Sequence, residues 1–435
     1  MRYLLVLLYI VAMLLIIPAW TVDDAFITYA YGKNLLAGSG LVFNAGQYVE
    51  GYTGILWVLV SWAVLALNIN IVIAAKVINV VLLIAGAWFV YKLIPEKKPA
   101  LYLALLYLMP VQFLHAYAGM ETILFQTLII WAIYNAVNNK NNLHILIALC
   151  LVRPEGKLVA LVLSLYEWKR GNRLILLLVI MAIEIHVVFR YYYYGTILPH
   201  TYDIKSNGID IYELMVLGGV WLTAFYYLYK DSINERIIYY YLLLIIAPVL
   251  VAYHEANLLM NYAARFYIPF LPLIIIIFYA LVLKRLYLAW GSYVIVGLLL
   301  FITVITGMQL RSNKVWLAEH KHLINNLQKI GETLKGSGPV IAWDIGAVKY
   351  YSGSEVIDMV GLTDPGILKA GSVPDYVFSK DPEYFLLPSY SRDNVNYPKY
   401  HLPELLSDAR IRNFSHVKSY FGSRRHYHIL KRIDQ

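Results

Sequence analysis

The chain has 435 residues, 60% of them hydrophobic and only 14% charged, with a net charge of +9 and a mean hydropathy of +0.61. A soluble domain carries roughly 25% charged residues, so this composition excludes an ordinary soluble enzyme. It also turns the excess of lysine and arginine from a nucleic-acid signal into a topology and lipid-headgroup signal. The single cysteine, Cys150, lies in an apolar run; it excludes an intrachain disulfide and a cysteine-based metal centre and leaves the redox compartment unread.

In chain order, apolar runs at 3–20, 71–93, 100–115, 123–137, 143–151, 158–168, 174–194, 211–229, 237–253, 266–282 and 286–308 predict about eleven crossings. The first run is read as a retained span, because no small-residue cleavage site precedes Asp23-Asp24. Several runs are short, which predicts tilted or broken helices. Residues 24–37 predict a more polar juxtamembrane helix closed by Gly38 and Gly40.

The segment 54–68 is ambiguous between crossing and lying in the interface. If it does not cross, the basic clusters at Lys97-Lys98, Lys140, Lys169-Arg170-Arg173, Lys230–Arg236 and Lys284-Arg285 all fall on one side with the N-terminus. The positive-inside rule selects that arrangement and makes 54–68 a juxtamembrane or re-entrant helix.

From Arg311 the chain becomes charged and punctuated by proline and glycine, which divides it into a membrane domain, 1–310, and an extracytoplasmic domain, 311–435. The second reads as α/β, with a helix over 318–334, a buried strand at 339–343 and a hairpin at 416–433 around Gly422-Ser423. It is either a structural cap or an acceptor-binding lid, with the "IDMVGLTDPG" loop facing the membrane domain.

This topology gathers the polar motifs on the outer face: "DDAF", "HAYAGMET", "VRPEG", "GTILPHTYDIK" and "HEANLLMNYAARF". A carboxylate at the mouth of a span suits a general base for an attacking hydroxyl. Two adjacent carboxylates repel, so one is raised in pKa or both hold a cation; the plainer alternative is that one caps the helix that follows. Arg153, Arg265, Lys205 and His200 stand at outer helix ends, where a lipid phosphate lies. Each has a structural alternative: Arg153 pairing with Glu121 or Glu155, His200 bonding a loop, Lys205 snorkelling. The 39 tyrosines, as in "RYYYYG", read first as an interfacial belt and second as sugar-stacking rings. Nucleotide-loop and zinc-protease signatures are absent.

The runs "DDAFITYAYGKNLLAGSGLVFNAGQYVEGYTGILW", "GMET", "LVRPEG", "GTILPHTY", "ARFYIPFLP" and "DIGAVKYYSGSEVIDMVGLTDPGI" resemble the GT-C glycosyltransferases, above all the mycobacterial terminal arabinofuranosyltransferase group, nearly end to end. The resemblance implies a GT-C membrane fold and transfer of a sugar from a polyprenyl-phosphate donor to an extracytoplasmic glycan, lipid or protein. It implies Asp24 as base, with Asp23 as its neighbour or a contact to metal or acceptor. Arg153, Lys205 and Arg265 would meet the donor phosphate, and His200, Glu121, Glu50 and Tyr52 would line the substrate site. It implies no certain cofactor, a divalent cation (Mg, Mn or Ca) being the open case, and a role in cell-wall biogenesis at the plasma membrane. Ala30 stands where relatives commonly carry arginine and His200 where they carry asparagine; Lys33 lies one helical turn beyond Ala30. The alternatives are a lipid-sugar flippase, against which the one-sided polar clusters and lack of internal repeats argue, and a non-catalytic assembly protein, which would tolerate loss of Asp24.

Overall fold

The computed structural model describes residues 2–197, 200, 241–242, 244–246, 248–250, 253, 261–398 and 401–433. Lys205, the expected span 211–229 and part of the expected span 237–253 lie outside the described residues.

The first part is helical: α1 Arg2–Ile16, α2 Asp23–Leu36, α3 Ile55–Ala66, α4 Ile71–Leu93, α5 Lys97–Tyr107, α6 Pro110–Tyr117, α7 Thr122–Val137, α8 Leu143–Val152, α9 Pro154–Lys169 and α10 Arg173–Tyr194. Among the described residues only α4 and α10 are single helices long and apolar enough to cross a membrane. Counting two bent pairs raises the number to four, short of the eleven expected. One pair is α5 and α6, bent by 47° where Pro110 opens a new helix; the other lies within the helix Ser292–Thr333, bent by 42° near residue 313. The rest are short for identifiable reasons. α8 ends at Val152 because Arg153 is extended (φ −156°, ψ 155°) ahead of Pro154, which starts α9. The 12-residue α3 is too short to cross, which agrees with the juxtamembrane reading of 54–68.

The expected boundary at 311 does not fall in a linker. With no proline between 292 and 333, the chain runs on as one helix, Ser292–Thr333, from the apolar to the polar region. Beyond it lies a five-stranded mixed sheet in the order β2-β1-β3-β5-β4, with β1 Val340–Ala342, β2 Val356–Asp358, β3 Tyr384–Ser389, β4 Phe414–Tyr420 and β5 His426–Arg432. β1 runs parallel to β2 and β3, and β4 and β5 form the expected hairpin. Strand alternation splits the sheet's side chains between two cores. Ile341, Ile357, Phe385 and Leu387 pack on short helices of the second domain, whereas Val340, Ala342, Val356, Leu386 and Ile429 join the core of the helical part.

That shared core explains a departure at α2. A polar interfacial helix would keep one wet face, yet Asp23 and every residue from Ala25 to Gly32 are buried. α3 covers one side of α2 and the helix Gly346–Ser352 covers the other. Lys33 Nζ donates to the Tyr350 carbonyl at 2.9 Å, Asn44 brackets Val356 through its amide at 2.8 and 3.1 Å, and Gln47 donates to Glu355 at 2.7 Å. Lys33 is therefore engaged with the second domain.

Candidate active site

Consecutive helical residues point about 100° apart, and this separates the acidic pair. Asp23 does not cap its own helix; Val22 holds that position with no side-chain bond. Its carboxylate instead accepts from two amides of the second domain, Gly346 N at 2.9 Å and Ala347 N at 2.8 Å. Only glycine fits at 346, because a Cβ there would sit 2.1 Å from the Asp23 carbonyl oxygen. Burial, then the neighbouring charge of Asp344, push the Asp23 carboxyl up to about 7 against the pull of the two amides. Asp344 is itself held by Arg425 at 2.9 Å and Tyr427 at 2.5 Å.

Asp24 faces the other way. Its Oδ2 accepts from Arg265 at 3.0 Å, and its side chain keeps 26% of its exposure while Arg265 is 2% exposed. Arg265 lies over the rings of Tyr262 and Phe266. Tyr262 in turn stacks on Trp316 of the long helix and meets Trp20 edge-on, so aromatic rings from three elements wall the pair.

Arg153 pairs with both carboxylates named as its structural alternative. From the break between α8 and α9 it donates to Glu121 at 3.0 Å and to both oxygens of Glu155 at 3.2 Å, and Tyr253 donates to Glu155. Glu121 is placed by the turn before α7. There Gly119, at φ +84° and packed against Tyr29 and Ala25, offers its carbonyl to Tyr29 at 2.7 Å and Trp57 at 2.9 Å. A side chain at 119 would be strained in φ and would collide with Tyr29.

The other expected substrate contacts lie in a separate group. Glu50 pairs with Arg190 of α10 at 2.8 Å, and Tyr52 donates to the Tyr194 hydroxyl at 3.1 Å, which donates onward to the Leu41 carbonyl. His200 meets the Gly361 carbonyl, in the "IDMVGLTDPG" loop, at 2.9 Å. Asp358 shapes that loop by accepting from the amides of Val360 and Thr363 at 2.9 Å, and burial raises its carboxyl to about 6. Arg190 went unnoticed in the sequence because it opens "RYYYYG", where the tyrosines suggested a belt; an arginine inside an apolar span was the available signal. Among the described residues no three histidine, cysteine or carboxylate side chains group as metal ligands.

Residues 312–430 match a family model described as a domain of unknown function, DUF8728. A terminal β-(1→2)-arabinofuranosyltransferase of Corynebacterium glutamicum is similar at 30% identity over 235 residues, covering 43% of this chain and 33% of that protein. The chain thus matches about a third of the length of this curated relative. The similarity relates it distantly to a glycosyltransferase, and its long apolar helices mark it as a membrane protein.

Proposed function

We propose that the chain is a multi-pass GT-C glycosyltransferase that moves a sugar from a polyprenyl-phosphate donor to a hydroxyl of an extracytoplasmic acceptor, by inverting displacement with Asp24 as base. The observation that carries this is the division of labour within the acidic pair. Both oxygens of Asp23 are occupied by backbone amides, whereas Asp24 keeps a partly exposed carboxylate beside a buried arginine. The distant likeness to an arabinofuranosyltransferase supports the reaction class. In this reading Asp24 takes the proton of the acceptor hydroxyl as its oxygen attacks the anomeric carbon, and the lipid phosphate leaves from the opposite face.

Arg265 orients the base, Arg153 holds Glu121 and Glu155 in the same wall, and Lys205 and His200 serve substrate contact. Asp23 joins the catalytic helix to the second domain, which gates the acceptor. The membrane domain crosses the membrane several times, with the second domain on the extracytoplasmic side. Transfer from a synthetic polyprenyl-phosphate sugar to glycan fragments by the purified protein tests this, with Asp24→Asn as the inactive reference and a chelator arm for a divalent cation.

A further inference from the structure

α10 carries a polar stripe that the proposed chemistry leaves unused. Its lipid-facing side exposes Leu177, Met181, Ile185, Val188 and Tyr192. The opposite stripe, Val179, His186, Arg190 and Tyr194, is buried at helical spacing. Ionisable residues inside an apolar span are costly and mark function more often than packing. Arg190 is 3% exposed, and its one polar contact among the described residues is through Nε, at 2.8 Å to Glu50. Among the described residues, its two terminal amino groups donate to nothing.

Across the helix interface, Lys157 of α9 reaches the same place. It is half-buried, makes no hydrogen bond or ion pair to a described residue, and lies within electrostatic range of Arg190 and Glu50. His186, 6% exposed, makes no well-formed hydrogen bond through either ring nitrogen, and the Cys150 backbone is the polar group it faces. Two fixed cations and an uncommitted imidazole therefore share one carboxylate.

The Asp24 cluster is the reverse: among the described residues, the cations paired with Asp24, Glu121 and Glu155 are Arg153 and Arg265. An incoming anion is repelled there and neutralised at Arg190. A free guanidinium fork beside a point-charge ammonium matches a phosphate, the fork taking two oxygens and the ammonium a third. Because α10 is long and apolar enough to cross a membrane, the phosphate that reaches its buried stripe is carried on lipid.

We propose that Arg190 and Lys157, set against Glu50 and flanked by His186 and the Tyr52–Tyr194 hydroxyl pair, form a binding site for a lipid-borne phosphate. Two lipids bring that chemistry: the polyprenyl phosphate of the donor, an identification that rests on the transferase reading, and an anionic phospholipid of the bilayer.

The test measures binding of sugar-free polyprenyl monophosphate, and separately of phosphatidylglycerol, to the purified full-length chain in neutral detergent by native mass spectrometry. Lys157→Gln removes a side chain with no described partner, and the double variant Glu50→Gln/Arg190→Gln removes both members of the buried pair together, so both are built to fold. Each is expected to weaken binding about tenfold to a hundredfold, the scale of a lost charge-assisted contact. Weakening confined to polyprenyl monophosphate supports the site with the donor as occupant; weakening confined to phosphatidylglycerol supports it with a bilayer lipid as occupant. Unchanged binding of both lipids in both folded variants overturns the proposal. The readout needs no sugar transfer, so an inactive protein would sink the transferase reading and leave this result standing.

Discussion

Arg265 donates to Asp24 at 3.0 Å across 241 residues of chain, while Asp23, the next residue back, binds Gly346 at 2.9 Å in the opposite domain. The first turn of α2 thus joins three parts of the protein. One carboxylate secures the second domain, and the other meets a cation delivered by the segment after residue 261. Substitutions at these two neighbouring positions are expected to fail in different ways.

Asp23→Asn is expected to loosen the second domain while sparing donor binding. An asparagine offers one oxygen to two amides and turns its NH2 toward the other, leaving a buried donor unsatisfied at about 1–3 kcal/mol. Limited proteolysis should then cut near the domain junction faster than in the wild type. Unchanged protection, with unchanged thermal stability, would remove Asp23 from this role.

The same carboxyl sets a pH dependence with a defined sign. Its folded-state pKa is raised to about 7 from an ordinary 3.8, so between those values the native chain holds a proton that the unfolded chain releases. Stability from this group is therefore greatest below about pH 4 and falls as pH rises toward 7. The difference in melting temperature between wild type and Asp23→Asn should shift against the wild type across that window. A difference that is flat from pH 4 to 7 contradicts the assignment.

The placement of these residues was only partly legible in the sequence. The motifs are visible, as are the helix at 24–37 closed by Gly38 and the hairpin around Gly422-Ser423, because each follows from local backbone chemistry. The pairing of Asp23 with Gly346 was not visible, since nothing local links residues 323 apart. Lys33, one helical turn beyond Ala30, binds the Tyr350 carbonyl of the second domain. Its fate depends on the second domain folding over α2. Hydropathy counted eleven runs, but a run of ten residues such as α8 becomes a short helix ending at a break, so runs and crossings do not match one to one.

Arg153 sits between Glu121 and Glu155 with 1% of its side chain exposed. Arg153→Gln leaves the buried Glu121 and the partly buried Glu155 without their cation, and breaking a buried pair such as Arg153–Glu121 costs about 3–5 kcal/mol. Lower yield and a lower melting temperature are expected. Adding Glu121→Gln should recover part of the loss, because it removes one of the uncompensated charges. A fully stable Arg153→Gln protein would mean that the three side chains do not form a unit.

Sidedness is tested by labelling. With Cys150 replaced by serine, Ser391→Cys should react with an impermeant thiol reagent on intact cells, and Gly171→Cys should react only after permeabilisation. The opposite pattern inverts the topology and moves every outer-face motif to the inside.

Asp24→Asn is the decisive variant for the chemistry. In the proposed reaction Asp24, in the first turn of α2 beside Arg265, is where a lipid-anchored donor and a water-borne acceptor meet. Asparagine keeps the size and a hydrogen-bond acceptor for Arg265, so the fold and the position of Arg265 are expected to survive. It cannot take a proton, and a positioned general base is worth roughly 10²–10⁴-fold. Sugar transfer should therefore fall by at least that factor while binding of the donor stays within threefold of wild type, a threshold of about 0.6 kcal/mol. Arg265→Gln should lower turnover as well, by letting the carboxylate swing, with a smaller effect because the base remains. Transfer by Asp24→Asn within about tenfold of wild type would exclude it as the base, because that loss is smaller than the removal of a general base produces.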